Sequence, residues 1–316
     1  MSTDSLASVS VVVPVYNSEA SLAELVNRLH VCLDAHGSEH EVLLVNDGSR
    51  DGSWARIQEL AARDPRTHGI RLMRNYGQHN ALLCGIRKAR HQVIVTLDDD
   101  LQHPPEEIPR LLARLTPDVD VVYGTPEREQ HGLLRDLASQ ITKLALQQTM
   151  GAPTARKVSA FRAFRTRVRD AFADYRGPYV SIDVLLTWGT VRFAFVAVRH
   201  DERRFGASNY TLGTLVRHAV NMMTGFSVLP LQVATFVGFA FTLFGVGVLV
   251  YVVGRYIIAH GSVPGFPFLA SIIAIFSGAQ LFALGIIGEY LARMHFRMMD
   301  RPTYAVEAET SVGAAE

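Results

Sequence analysis

Residues 92–102 read Gln92-Val93-Ile94-Val95-Thr96-Leu97-Asp98-Asp99-Asp100-Leu101-Gln102. A short apolar, β-branched run that breaks into three carboxylates is the signature of a strand buried on both faces and ending in solvent. Val9–Val15 is a second such run and ends at Tyr16-Asn17, with Glu19 just beyond. Glu41–Val45 is a third and ends at Asn46-Asp47-Gly48-Ser49. Between these runs lie stretches with helical spacing: Ser21–Leu33, Asp51–Ala62 with Asp51 as the expected N-cap, Gln78–Ala89, and Pro104–Leu115. Ile70–Met73 and Val119–Tyr123 complete the strands. Alternation of this kind predicts an α/β domain with a mostly parallel, Rossmann-like sheet.

In such sheets ligands bind beyond the carboxyl ends of the strands. Carboxylates from three strands are expected on that rim. If the strand continues through the acids, Asp98 and Asp100 share one side and Asp99 takes the other. A pair on one side suits a hard divalent cation with oxygen ligands, and such a cation also grips a diphosphate. No GxGxxG follows the first strand and no GxxxxGK[ST] occurs, so the dinucleotide and P-loop fingerprints are absent.

The chain has 316 residues, 48% of them hydrophobic and 19% charged, with a formal net charge of +1 and a mean hydropathy of +0.14. It is too apolar to be disordered. Two cysteines exclude a disulfide scaffold, and the near-zero net charge argues against a nucleic-acid-coating protein. The apolar residues are concentrated. Leu231–Val253 is 23 residues without a charge and Phe268–Gly288 is another 21. About 20 such residues span a hydrocarbon core of roughly 30 Å, and the small residues in both runs suit close helix approach. Arg217 precedes the first run, and Arg293, Arg297 and Arg301 follow the second. The positive-inside rule then places both flanks in the cytosol. No signal peptide is expected at the N-terminus. Thr211–Leu229 has its apolar residues near helical spacing and is expected to be an interfacial amphipathic helix. The expected organisation is a catalytic domain over 1–210, this helix over 211–230, two transmembrane helices over 231–290 (about 231–253 and 268–288), and a polar cytosolic tail over 291–316, without order beyond Val306.

Three motifs together resemble the family 2 glycosyltransferases of GT-A fold: Val11-Val12-Val13-Pro14-Val15-Tyr16-Asn17, Val45-Asn46-Asp47-Gly48-Ser49 and Asp98-Asp99-Asp100-Leu101-Gln102-His103-Pro104-Pro105-Glu106. Arg74-Asn75-Tyr76-Gly77-Gln78-His79-Asn80-Ala81 and Arg203-Arg204-Phe205-Gly206-Ala207-Ser208-Asn209-Tyr210 narrow the likeness to the polyprenyl-phosphate glycosyltransferases. Gly278-Ala279-Gln280 and Gly288-Glu289-Tyr290 resemble the aminoarabinose branch most. The resemblance covers roughly residues 8–306. It implies inverting transfer of a sugar from a nucleoside-diphosphate sugar, UDP favoured, to undecaprenyl or decaprenyl phosphate. The enzyme would be a multi-pass protein of the inner membrane, with its catalytic domain cytosolic and relatives that suggest a homotetramer.

Roles follow residue by residue from that resemblance. Pro14, Tyr16, Glu19, Asp47 and Asp99 would hold the donor nucleotide. Asp98, Asp100 and Gln102 would bind Mg²⁺ or Mn²⁺. Arg128, Arg135, Arg203 and Ser208 would hold the acceptor phosphate, with Asp98, Asp100, Arg162 and Arg203 as the catalytic set. Two departures stand out. Relatives often carry an acid just before the Phe-Arg matched by Phe161-Arg162, where this chain has Ala160, and a Lys where it has Asn209. Catalysis is therefore expected without a carboxylate at position 160. Two other readings are a processive polysaccharide synthase and a non-catalytic membrane scaffold. The first expects a Gln-x-x-Arg-Trp motif, which is absent because neither Trp54 nor Trp188 follows Arg. The second is disfavoured by the intact acids.

The net charge conceals a division. Residues 1–120 carry 12 basic and 17 acidic groups, while residues 121–230 carry 15 and 8. The acidic part holds the proposed donor site. The basic part holds the proposed phosphate clamps and suits an anionic leaflet.

Overall fold

The computed structural model describes residues 8–126, 158–177, 179–201, 229–259 and 265–310. The chain divides into two compact units, Met1–Leu215 with Asp300–Glu316, and Val216–Met299.

The first unit is built on one eight-stranded sheet. In chain order its elements are β1 (Val9–Val15), α1 (Glu19–His36), β2 (His40–Asn46), α2 (Ser53–Arg63), β3 (Thr67–Leu72), α3 (Gln78–Lys88) and β4 (Val93–Thr96). Then follow α4 (Ile108–Arg114), β5 (Val121–Pro126), β6 (Arg162–Arg165), α5 (Ile182–Gly189), β7 (Phe193–Val198) and, after the second unit, β8 (Val306–Glu309). The strand order is β7-β5-β6-β4-β1-β2-β3-β8. β1 is parallel to both β2 and β4, β2 to β3, and β5 to β7. β6 is antiparallel to both β4 and β5.

Alternation along β1 divides the core between the two faces. Val9, Val11, Val13 and Val15 join Leu22, Leu25 and Ile57 on one face, while Val12 joins Leu82 and Ile86 on the other. Each fully buried aliphatic contributes about 1.5–3 kcal/mol. Gly85 of α3 lies so close to the sheet that a Cβ there would sit 2.4 Å from Val12 Cγ1. α1 stops at Gly37, whose left-handed backbone (φ 75°) lets two amides close on Asp34 and Leu33 carbonyls.

Pro14 lies inside a central strand, a position that normally excludes proline. Here β4 has already ended: its pairing with β1 stops at Val12↔Thr96. Val12 and Pro14 share a direction along the strand, and the Val12 carbonyl accepts from Leu97 on the β4 side. The missing proline N–H therefore falls where no β4 partner remains.

The expected disorder beyond Val306 is corrected. Residues 306–309 form β8, antiparallel to the edge strand β3. Arg71 pairs with Glu307 and Lys88 with Glu309. The Thr310 hydroxyl accepts from the Gly69 amide at 2.8 Å. A polar strand with alternating exposure is what a solvent-facing sheet edge accepts.

The second unit consists, among the described residues, of α6 (Leu229–Ala259) and α7 (Phe266–Met298). Both expected spans lie inside these helices, which are apolar and long enough to cross a membrane. Phe276 meets Phe241 edge-on, with ring centroids 5.6 Å apart, and packs beside Gly245. The expected interfacial helix over 211–230 lies almost entirely outside the described residues.

Candidate active site at the carboxyl ends of the strands

Four loops meet on the rim of the sheet, those after β1, β2, β3 and β4. They are joined into a closed belt of hydrogen bonds. The β1 loop is zipped to the β2 loop: Asn17 N–H donates to Ser49 Oγ (3.0 Å), Ser18 N–H to Ser53 Oγ (3.0 Å) and Glu19 N–H to Asp51 (3.2 Å). In return Arg50 N–H donates to Asn17 Oδ1 (2.8 Å) and Gly52 N–H to Glu19 Oε2 (3.1 Å). Asn17 adopts a left-handed backbone (φ 54°), a conformation its side chain tolerates.

The β2 loop is tied to the β3 loop through Asp47, which is 2% exposed. Its two oxygens accept from Tyr76 N–H (2.7 Å) and Gly77 N–H (2.8 Å). Burial pushes the Asp47 carboxyl above its ordinary value, against the pull of those two amides. The β3 loop reaches the turn after β4 through Gln78, whose Nε2 donates to Asp98 Oδ1 at 2.6 Å. The belt closes where Tyr16 N–H donates to Asp99 Oδ2 at 3.2 Å. Burial, with the neighbouring charge of Asp100 adding to it, raises the Asp99 carboxyl to about 6.

The strand β4 ends at Thr96, so Asp98–Asp100 stand in a turn rather than on a strand. Leu101 takes a positive φ of 60° and is buried. That turn folds Gln102 N–H back onto Asp100 Oδ1 at 3.1 Å. Gln102 is further held by Asp201 N–H on its carbonyl (2.8 Å), and its side chain approaches His200 at 3.4 Å. His103 stacks on Phe161, and burial pushes its imidazole down to about 4. A cleft of about 570 Å³ opens beside the belt, lined by Asn17, Ser18, Glu19, Ser21, Asp51 and Asp100 among others.

The expected site residues thus separate. Tyr16, Glu19, Asp47, Asp98, Asp99, Asp100 and Gln102 are brought together on one rim. Tyr16 is 39% exposed there, and Pro14 is buried beneath it. Arg162 is corrected: it is 1% exposed, and its guanidinium pairs with Asp183 of α5. Its Nε also donates to Thr96 Oγ1 at 3.1 Å, and the Tyr123 hydroxyl donates to Asp183 at 3.0 Å. A buried cation needs a buried anion, and Asp183 occupies the guanidinium that an acceptor phosphate would need. Arg128, Arg135, Arg203 and Ser208 lie outside the described residues.

Three Asp, Glu, His or Cys side chains converge on no single point among the described residues. Asp98, Asp100 and the Gln102 amide nevertheless supply oxygen donors on one turn. That set fits a hard cation which keeps several waters, takes phosphate oxygens and needs only one or two protein carboxylates. Sequence reasoning missed Gln78, Asp183 and the serines of the zip. The Asn46-Asp47-Gly48-Ser49 and Asp51-Gly52-Ser53 runs carry turn signals for the serines, and neither reaches Gln78 or Asp183.

The family model of "Glycosyl transferase family 2" matches residues 10–175. The undecaprenyl-phosphate 4-deoxy-4-formamido-L-arabinose transferase of Shewanella sediminis is 37% identical over 303 residues, covering 95% of this chain and 91% of that protein. The enzyme of the same name from an Enterobacter species is 33% identical, covering 98% and 96%. Among solved structures, glucosyl-3-phosphoglycerate synthase from Mycobacterium tuberculosis superposes with a TM-score of 0.53 at 18% identity, covering 69% of this chain and 79% of that one. A complex of that synthase with Mn²⁺, UDP and glucosyl-3-phosphoglycerate gives a TM-score of 0.51. The likeness to these structures is one of GT-A fold.

Proposed function

The chain belongs to glycosyl transferase family 2, and from that premise we propose that it moves a sugar from a nucleoside diphosphate, UDP favoured, to undecaprenyl or a similar polyprenyl phosphate at the cytoplasmic face of the inner membrane. The observation that carries this reading is the pairing, in one chain, of an acidic rim with two apolar helices. Relatives along nearly the whole length are named for undecaprenyl-phosphate transfer of a 4-deoxy-4-formamido-L-arabinose. Connectivity supports the orientation. The chain leaves the first unit before α6 and rejoins its sheet at β8, which suits a pair of crossings by the two apolar helices among the described residues, with both flanks on one side.

The acceptor dictates the chemistry. A phosphate monoester has a second pKa near 6, so it is already an oxyanion at neutral pH. One of its oxygens attacks the anomeric carbon, the bond from that carbon to the diphosphate oxygen breaks, and in-line attack inverts the centre. No proton has to be removed from the nucleophile, which suits a chain with alanine at position 160. A divalent cation, Mg²⁺ or Mn²⁺, held by Asp98, Asp100 and Gln102 would neutralise the charge that grows on the departing diphosphate. Tyr16, Glu19 and the Asp47-anchored loop form the wall against which the nucleoside rests. Arg203, with Arg128, Arg135 and Ser208, is assigned to the acceptor phosphate, for which a planar guanidinium fork is suited. Arg162 is assigned instead to holding β4 against β6. A homo-oligomer is part of this reading.

The test is to supply the purified enzyme with undecaprenyl phosphate and a panel of nucleotide sugars, and to identify the lipid product by mass spectrometry. Asp98→Ala and Asp100→Ala should each abolish product while the protein still inserts in membranes. Retained turnover would remove the metal assignment. Absence of turnover with every donor would favour the scaffold.

A further inference from the structure

We infer that Gln78 is a positioning residue for the metal-side carboxylate Asp98, and that the Asp47-anchored loop exists to deliver it. The inference rests on the proposed metal role of Asp98 and deepens it.

The contact itself is specific. An ionised carboxylate is an acceptor only, so the Gln78 amide must present its nitrogen, and it does so at 2.6 Å. Gln78 is the first residue of α3, so its backbone is fixed by the helix. The residue before it, Gly77, has φ 94°, a conformation closed to most side chains. Nothing lies within 4 Å of where a Gly77 Cβ would stand, so backbone conformation and not space requires the glycine. The sharp turn at Gly77 is held in turn by Asp47, whose oxygens take the amides of Tyr76 and Gly77. Gly48 packs beneath, where a Cβ would stand 2.6 Å from Arg74 C and Asn75 N. Asp47, Gly77, Gln78 and Asp98 form one continuous path from the nucleoside side of the rim to the metal side.

The choice of glutamine also has a reason. A lysine or arginine at this place would fix Asp98 but neutralise it, leaving less charge for a cation. A neutral amide donor holds the rotamer and leaves the negative charge intact. Partners that orient a metal ligand in this way are worth roughly 10- to 100-fold in metal affinity or activity when removed.

The experiment uses the full-length enzyme in detergent micelles with UDP present. Free Mn²⁺ is titrated by electron paramagnetic resonance against wild type, Gln78→Met, Gln78→Ala and Asp98→Ala. Gln78→Met keeps the length of the side chain and removes the donor. The expected result is Mn²⁺ binding weakened roughly 10- to 100-fold in both Gln78 variants, an unchanged thermal midpoint, and kcat restored by raising Mn²⁺. A merely structural role would not be rescued by metal. Mn²⁺ affinity within about twofold of wild type in Gln78→Met, with Asp98→Ala still defective, overturns the role of Gln78 and leaves the metal assignment standing. Undiminished Mn²⁺ binding by Asp98→Ala overturns both.

Discussion

The backbone N–H of Tyr16 donates to the carboxylate of Asp99 across 3.2 Å, joining the end of β1 to the turn after β4. One oxygen of Asp99 is therefore engaged by the protein, and we propose that the carboxylate acts on the donor site by holding Tyr16 in place. An Asp99→Asn change keeps an acceptor for that amide and removes a carboxyl that burial disfavours when ionised. The expected outcome is a UDP dissociation constant near wild type and an equal or higher thermal midpoint at pH 8. Asp99→Ala removes the acceptor and should weaken UDP binding about fivefold, the worth of one hydrogen bond of about 1 kcal/mol. Isothermal titration of both variants checks this, and a large loss in Asp99→Asn would return Asp99 to direct nucleotide contact.

Gly48 tests the packing of the belt from beneath. It has φ 66°, and an added methyl would meet backbone atoms of Arg74 and Asn75 at 2.6 Å. Neither is the flexible end of a side chain, so the β3 loop has to move. Gly48→Ala is expected to cost more than about 1 kcal/mol from the backbone conformation alone. It should also lower turnover more than it lowers the thermal midpoint, because the displaced loop carries Gln78. Kinetics and thermal unfolding on the same preparation separate the two effects.

The parallel half of the fold was legible because its signals are local. Val9–Val15 is a strand to the residue, and α3 begins at Gln78 as its pattern indicates. The antiparallel strand β6 was not legible. Arg162–Arg165 brackets Ala163 and Phe164 with arginines, Arg162 reads from sequence as a phosphate-contacting residue, and its partner Asp183 comes from an element some 20 residues later. β8 was missed for a related reason. Its pattern is that of a polar tail, and only the presence of an unpaired β3 edge makes it a strand. Within the site, the acids were legible as chemistry, but their partners are mostly backbone amides, which carry no residue-specific signal.

The tail strand has a direct consequence. Ending the chain after Ala305 removes β8, its two salt bridges and the Thr310 contact with Gly69. Surface ion pairs contribute little, about 0–1 kcal/mol each. The larger effect is the re-exposed β3 edge, which offers unpaired backbone groups to other chains. The truncated enzyme is expected to show a lower thermal midpoint and to aggregate faster in detergent, while retaining the Mn²⁺ affinity of the intact protein. Light scattering alongside thermal unfolding checks both parts.

The two cysteines should be chemically silent in the folded protein. Burial pushes Cys84 up to about 12 and Cys32 up to about 11, and Cys32 Sγ donates to the Pro105 carbonyl at 3.2 Å. Only the thiolate reacts, so at pH 8 about one Cys32 in a thousand is competent. Maleimide should modify neither thiol during the time in which it fully labels protein unfolded in guanidinium. Rapid labelling of either one in the native enzyme would contradict the burial described.

Acid stability turns on buried histidines: His103 beside the rim, pushed down to about 4, and His30 at the opposite end of the sheet. His30 Nδ1 lies 2.9 Å from His40 Nε2 and its Nε2 lies 2.9 Å from Thr67 Oγ1. Burial lowers its pKa, and the charges of Arg66 and His40 add to that, while Asp64 and Asp34 pull the other way. His68 shifts in the same direction, through burial and Arg90 against Glu41. An unfolded chain presents an ordinary imidazole near 6.5. Below that pH the unfolded state binds protons that the folded state refuses, so folding stability is highest above 6.5 and declines as pH falls through it. The paired carboxylates respond only at lower pH, so the interval from pH 7.5 to 5.5 belongs to the buried histidines and to Asp99, whose raised carboxyl takes up a proton there and offsets part of their effect. The thermal midpoint should fall across that interval, and His30→Gln, which keeps a donor and an acceptor but cannot take the proton, should make the fall shallower. Equal slopes for the two proteins would show that His30 is protonated in the folded enzyme after all, with Asp64, 3.8 Å from its Nε2, outweighing the cost of burial.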